Sequence, residues 1–400
     1  MTDGDSSYSL IMPDQGENSM FRLKTAALAA TMAAAALSAQ ASDVEVFGRL
    51  DTGVLYTVNQ GDAKDTLQMS TGRSTGSRWG LEATEDLGND WQVVAHLESG
   101  ISSDTGEFCS SCGSRIFGRQ MTLSLKNNSF GKIAFGRSGK PLSGSDEFTR
   151  IRSFTPFGVT YGDAGLLFYG KGGRVDNGVF YQSPRVAGLT AVLAASTQTS
   201  NQEEPEWTDN TRFWGGSLDW KGGNLGLIVG AEQIVVARAD KETKDNPTTL
   251  LMGAYYDFGF MKLMAAYQKG WDLDRIGAFQ GGSKLTIGGK NSIVRYFDAD
   301  FYMLGATVPA GKGLVRLSAL YMTGENAQRL ANNSVSNDET KAGYWAVAAG
   351  YTYPFSKRTS VYGTVSYLQG TDALDKKYKV TTADGDLTRY QFAVGLVHKF

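Results

Sequence analysis

From residue 42 onward the chain is built of short runs in which apolar and polar residues take alternate positions. A period of two sends successive side chains to opposite faces of a strand. Over 91–99, Trp91, Val93, Ala95 and Leu97 share one face, while Gln92, His96 and Glu98 share the other. Over 345–353, Trp345, Val347, Ala349, Tyr351 and Tyr353 alternate with Ala346, Ala348, Gly350 and Thr352. Sixteen such runs can be marked, near 44–56, 76–87, 91–101, 115–126, 131–138, 174–183, 188–196, 212–220, 225–235, 248–258, 261–270, 298–308, 313–323, 341–353, 359–368 and 388–400.

The connections alternate between two kinds. Short turns such as Gly88-Asn89-Asp90, Lys221-Gly222-Gly223-Asn224 and Gly259-Phe260 are followed by long polar stretches such as 57–75, 139–173, 271–297 and 369–387. Tight turns on one rim and long loops on the other describe an up-and-down transmembrane barrel. The apolar faces end in Trp, Tyr and Phe, as aromatic girdles at two membrane interfaces require. The opposite faces carry Arg49 with Asp51 and Arg78 with Glu82. A sealed sandwich core would need every such charge paired, whereas a wet lumen accepts them. No repeat of fixed period suggests a propeller.

Composition supports this reading: 49 Gly, 20 Phe, 18 Tyr and 7 Trp stand against 8 Pro and 2 Cys, a mixture of strand and turn formers. The balance of 39 basic and 41 acidic residues argues against nucleic acid as a partner, because phosphate binding draws on surplus cations.

The N-terminal part names a compartment. After Met20 come Arg22 and Lys24, an apolar stretch over 25–37, and Ala39-Gln40-Ala41, the layout of a secretory signal with small residues before the cut. Residues 1–19 read as an upstream extension, 1–41 as extension plus signal, and 42–400 as the exported barrel. The removed segment holds two basic and four acidic residues, which leaves 37 of each sign. Cys109 and Cys112, spaced Cys-x-x-Cys, could be a redox motif, half a metal site or a loop disulfide. Export favours a disulfide between them in the second external loop.

The residues Val46-Phe47-Gly48-Arg49-Leu50-Asp51, Ser77-Arg78-Trp79-Gly80-Leu81-Glu82, Glu85-Asp86-Leu87-Gly88, Phe117-Gly118-Arg119-Gln120, Phe135-Gly136-Arg137 and the ending Val394-Gly395-Leu396-Val397-His398-Lys399-Phe400 are shared with a known group. On them the chain resembles the general porins of Gram-negative bacteria, most closely the beta-proteobacterial type, over essentially all of 42–400. The resemblance implies a sixteen-stranded antiparallel barrel in the outer membrane, assembled as a homotrimer, with a third external loop folded inward across the pore. That loop would be 139–173. It implies a basic ladder of Arg49, Arg78, Arg119 and Arg174 on strands one, two, four and six, faced by loop carboxylates, for which Asp146, Glu147 and Asp163 are the candidates. Thr155-Pro156-Phe157-Gly158 matches the loop tip but lacks an acidic residue there, and Arg150 and Arg152 add positive charge. Phe400, on one face with Tyr390, Phe392, Val394 and Leu396, would be the signal read by the outer-membrane insertion machinery.

The expected function is passive diffusion of small hydrophilic solutes and ions across the outer membrane, with lipid and lipopolysaccharide as neighbours and no cofactor. A fixed row of guanidinium groups orients and filters dipolar solutes. Three readings compete, one of them a mainly structural or adhesive barrel that would conduct negligibly. With only His96 and His398, a histidine triad or metal cluster has few candidates, so an enzyme is not expected. A porin specific for sugars or organic acids would use an aromatic track, for which Tyr161, Phe168 and Tyr169 could serve.

Overall fold

In the computed structural model the described wall strands turn a row of large apolar side chains to the exposed face, while the buried face carries polar side chains interspersed with apolar ones. The model describes residues 42–400 apart from 60–63, 110–114, 143–145, 159, 166–172, 201, 239–245, 274–283, 288–289, 294–296, 330–334, 373–379 and 382–387. The expected signal segment lies outside the described residues. The strands are β1 (Ser42–Asn59), β2 (Thr66–Thr71), β3 (Arg78–Gly88), β4 (Trp91–Gly100), β5 (Gln120–Asn127), β6 (Gly131–Gly139) and β7 (Arg174–Gln182). They continue as β8 (Leu189–Ser196), β9 (Arg212–Gly222), β10 (Leu225–Val235), β11 (Thr248–Asp257) and β12 (Lys262–Leu273). After β13 (Lys284–Ile287) and β14 (Lys290–Ile293) come β15 (Phe297–Ala310), β16 (Gly313–Arg329), β17 (Val335–Pro354), β18 (Thr359–Asp372), β19 (Val380–Thr381) and β20 (Arg389–Lys399).

Sequence neighbours pair antiparallel all the way round, and β1 returns to β20 from Arg49 opposite Lys399 to Asn59 opposite Arg389. Closure leaves no open edge. Both β2 and β3 pair with β1, so they are two parts of one stave interrupted at 72–77. The barrel therefore has sixteen staves. The last residue seals the seam, with Gly48 N donating to Phe400 O at 3.0 Å and Phe400 N to Gly48 O at 3.1 Å. Strands β13, β14 and β19 form a separate three-stranded sheet drawn from two long connections.

Strand β5 shows the rule of the wall. Gln120, Thr122 and Ser124 are buried, while Met121 and Leu123 between them are 53 % and 58 % exposed. In β20, Tyr390, Phe392, Val394 and Leu396 are exposed and Gln391, Ala393 and Val397 buried. An apolar exposed face on every side is unfavourable in water and matched to lipid, which needs no polar contact from the wall. Rings gather at two heights. Phe130 with Trp91, Tyr256 with Phe258 and Phe260, and Tyr353 with Phe355 lie by the short turns. Trp345, Tyr367 and Tyr390, and Tyr267, Tyr302 and Tyr321, lie nearer the long connections. The turn between β3 and β4 holds Asn89 and Asp90 at φ of 52° and 66°, the primed geometry that joins twisted strands in two residues.

Two boundaries differ from the sequence reading. Within 57–75, expected to be loop, Leu67 and Met69 alternate just long enough to form β2 on the edge of β1. Residues 115–119, expected in the fourth strand, precede β5, and Phe117 instead lies against the outward Trp79 with ring centroids 6.4 Å apart.

Candidate functional site

Side chains of the connection between β6 and β7 reach strands well beyond the two it joins. Leu142 N donates to Glu232 Oε1 on β10 at 2.6 Å. Phe148 stacks on Phe180 at 5.0 Å within a cluster that includes Val192 and Phe213. Ile151 and Phe154, on the helical turn Ile151–Phe154, are fully buried among Ile228, Leu251, Met264 and Phe301. Further on, Phe157, Tyr161 and Ala164 pack with Ala348, Tyr362 and Val397, and Ser318 Oγ donates to Ala164 O at 3.3 Å. Two glycines make room for this path. A Cβ on Gly305 would stand 2.6 Å from the Pro156 ring, and one on Gly350 would stand 2.9 Å from Phe157. The apolar residues of the connection thus cover the wall from β6 round to β20, and among the described residues none clusters with β1–β5.

Arg49, Arg78 and Arg119 stand on that uncovered arc, and Arg174 and Arg152 approach it from β7 and from the connection. Arg49 on β1 donates to Thr75 Oγ1 at 2.9 Å. Arg78, the first residue of β3, donates to the same Thr75 oxygen at 2.9 Å, to Gly76 O at 3.0 Å, and to Glu98 at 3.3 Å. Arg119 places Nε 2.6 Å from Glu98 Oε1 and Nη2 3.6 Å from Asp146 Oδ1. Arg174, the first residue of β7, grips Asp146 with both prongs at 2.7 and 2.9 Å. The connection contributes Arg152, within electrostatic reach of Arg49, Arg119, Asp146 and Glu98. Among the described residues five guanidinium groups therefore meet three carboxylates here, Glu98, Asp146 and, beside Arg49, Asp51, an excess of two positive charges. Arg49 has no ion-pair partner among the described residues.

Two of these groups belong to the connection, and their titration reflects the crowding. Burial alone would raise the Asp146 carboxyl, but Arg174 and Arg119 outweigh it and hold the group below its ordinary value. Burial, and then the neighbouring Arg49, lower the Arg152 guanidinium from its ordinary value.

Loop carboxylates do not face the arginines as an opposing row. Asp146 is bonded into the cluster itself. Glu147 turns away to Lys132 at 2.6 Å and Gln120 at 3.3 Å. Asp163 takes a two-pronged bond from Arg389 at 2.7 and 2.8 Å on β20, beside Arg73, which donates to Gln391. The physical reason is that a carboxylate packed on a wall rich in guanidinium groups binds the nearest one, because leaving it buried and unpaired is costly. Asp51 is likewise no free lumen charge: the N–H groups of Ser74 and Thr75 donate to it at 2.7 and 2.8 Å and the Tyr362 hydroxyl at 2.8 Å, which pins the 72–77 turn. Sequence reasoning missed Glu98 and Arg389. Glu98 had a signal, since it lies on the inward parity of β4 and pairs in register with Gly80 and Gln120, beside Arg78 and Arg119.

Cys109 is disulfide-bonded, and Cys112 lies outside the described residues, as do Phe168 and Tyr169. His398 is exposed on the same face as Leu396 and Phe400. Among the described residues no helix is long and apolar enough to cross a membrane, and no group of three or more His, Cys, Asp or Glu side chains could hold a metal ion.

Residues 25–373 match the family described as Gram-negative porin. The chain is 30 % identical to an outer membrane porin protein of Bordetella pertussis, over 94 % of this chain and all of that protein. Among solved structures, an anion-selective porin from Comamonas acidovorans superposes with a TM-score of 0.64 at 25 % identity, covering 90 % of this chain and all of the other. The trimer form of OmpT from Vibrio cholerae gives 0.55 at 17 % identity, with 90 % of this chain and all of that one covered, a likeness of fold.

Proposed function

The chain belongs to the Gram-negative porins and forms a channel in the outer membrane, and from this premise we propose that the channel is a general one that favours small anions. One observation carries the preference: among the described residues five arginines meet three carboxylates where the β6–β7 connection lies opposite the uncovered arc. Fixed charge in a confined lumen acts on every passing ion, at about 1 kcal/mol or more per unit charge at close range. The connection is the third external loop and it narrows the bore. Its apolar side chains pack on one wall and leave Arg49, Arg78 and Arg119 facing the space that remains. Passage without a dedicated track is supported by the described loop aromatics Phe148, Phe154, Phe157 and Tyr161, which are buried against the wall.

The expected pairing of Cys109 with Cys112 belongs to this reading, as does cleavage of a signal at Ala41. A homotrimer is the assembly. The trimer form of a fold relative supports it, as does an exposed apolar face that runs right round the barrel and could be shared between lipid and neighbouring copies.

Swelling of liposomes that contain the protein tests the reading. Small organic anions should enter faster than cations of equal size. Equal rates, or faster cations, contradict the anion preference.

A further inference from the structure

A second group of cations occupies the inner wall nearer the short-turn rim. At its centre Asp219 on β9 has a side chain 1 % exposed and is held by two guanidinium groups. Arg150, from the β6–β7 connection, places Nε 2.6 Å from one carboxylate oxygen. Arg185, from the short turn after β7, places Nη2 3.3 Å from the other. Two residues further along the same face stands Lys221, within electrostatic reach of Asp219, Arg185, Arg150 and Lys262. No member of the constriction cluster is among those neighbours. The Lys221 ammonium has no ion pair among the described residues. Lys262 lies 4.7 Å over the Tyr255 ring and 3.5 Å from Asp257. Directly across the ladder from Asp219, the Thr190 hydroxyl is buried without a hydrogen-bond partner among the described residues.

Charge bookkeeping separates this group from an ordinary ion pair. The two arginines already satisfy both oxygens of Asp219, so Lys221 forms no ion pair among the described residues, and Arg185, whose side chain is 40 % exposed and whose Nη1 donates to Gly188 O at 3.4 Å, has no second carboxylate among them. Cations held by the fold and turned toward a water-filled bore form a receptor for oxygen anions. A single halide meets one of them. A solute with two anionic oxygen groups meets both the ammonium and the guanidinium.

We propose that Lys221 and Arg185, braced by Asp219 and Arg150, form a second anion station on the short-turn side of the constriction, for small solutes with two anionic oxygen groups, phosphate-borne or carboxylate-borne. The station rests on the reading of the chain as an anion-favouring channel. It gives a solute that has passed the arginine cluster a second, shallower well before the exit, and transit through more than one weak site keeps binding compatible with flow.

Single channels in potassium chloride test it, with inorganic phosphate or succinate added to each side in turn. Either dianion should lower the chloride current in a saturable way, more strongly from the short-turn side. Block by both supports the station as stated, and block by one alone supports it and narrows the ligand to phosphate or carboxylate. Replacing Lys221→Gln together with Arg185→Gln should raise the half-blocking concentration about tenfold, the scale of one or two charge-assisted hydrogen bonds. Normal open-channel conductance and an unchanged sign of the chloride-to-potassium preference show that the variant has folded. Lys221→Gln alone, which leaves both arginines on Asp219, should give a smaller rise. The station is wrong if neither dianion blocks saturably, or if block survives the double variant and is lost in Arg49→Glu instead. A parent channel that prefers potassium sinks the channel reading itself, whereas a chloride-preferring parent without block sinks only the station.

Discussion

Glu98 Oε1 accepts a hydrogen bond from Arg119 Nε at 2.6 Å, and the same carboxylate lies 3.3 Å from Nη1 of Arg78. One acid on β4 thus separates two arginines that would otherwise repel, and both its partners are largely buried. Replacing it by Glu98→Gln leaves Arg78 without an ion pair among the described residues and Arg119 with the more distant Asp146. Breaking a buried pair in this way costs about 3 kcal/mol or more. The variant should show a lower resistance to denaturant together with a stronger anion preference, measured by unfolding in detergent and by ion selectivity. Unchanged selectivity would place Glu98 away from the conducting space.

The far end of the β6–β7 connection is fastened by Asp163 to Arg389, with Arg73 and Gln391 beside them. Asp163→Asn keeps the shape and removes the charge. Released from β20, the tip should fluctuate, so single-channel records of this variant should be noisier and its mean conductance higher than the parent's. Quiet records at parental conductance would show that the apolar contacts of Phe157 and Tyr161 suffice to hold the loop.

The near end responds to acid through Asp146. Its carboxyl lies below the ordinary value of 3.8. A group depressed in this way contributes stability that is fully present above the unfolded value and is lost as the pH falls through the lower folded value. Conductance should therefore hold steady from neutral pH down to about 4 and change only at more acid pH. In Asp146→Asn that part of the acid transition should be missing, and the altered conductance should already be present at neutral pH. A parent transition near neutrality would assign the loop attachment to another group.

Much of the wall was legible from alternation because a lipid-facing strand repeats its apolar side chain every second residue without exception for function, as in Tyr390, Phe392, Val394 and Leu396. The arginines were legible as a set because Arg49, Arg78, Arg119 and Arg174 fall within or beside segments that resemble those of the porin family. Their partners were not. Asp146, Glu147 and Asp163 are close in sequence, yet they bind Arg174, Lys132 and Arg389 on three different strands. Loop conformation decides which carboxylate reaches which cation, and no period in the chain encodes it. Asp51 misled for a similar reason: inward parity places it in the lumen, but the interruption between β2 and β3 folds its backbone N–H groups onto the carboxylate.

The exposed apolar face makes its own prediction. Leu304 on β15 is 62 % exposed and sits opposite Ala265 and Ala319, well away from either rim. In water Leu304→Arg would be close to neutral. Facing hydrocarbon, it should destabilise the barrel by about 2–4 kcal/mol. Reversible urea unfolding in lipid vesicles reads the difference, and a loss below the error of the method would mean that this face is not against lipid.

The central claim is that surplus guanidinium charge between the uncovered arc and the β6–β7 connection sets the ion preference. Arg49 and Arg152 test it most directly, since replacing them leaves in place Glu98 with its two arginines and the two-pronged Arg174–Asp146 pair. The decisive measurement is the reversal potential of single channels in a potassium chloride gradient for the parent, Arg49→Glu, and Arg49→Glu combined with Arg152→Glu. Each replacement moves the cluster by two charges, so its surplus of two positive charges falls to zero and then becomes a deficit of two. The parent should favour chloride, the single variant should favour it less, and the double variant should favour potassium. Three equal reversal potentials would contradict the account and remove these arginines from the path of the ions.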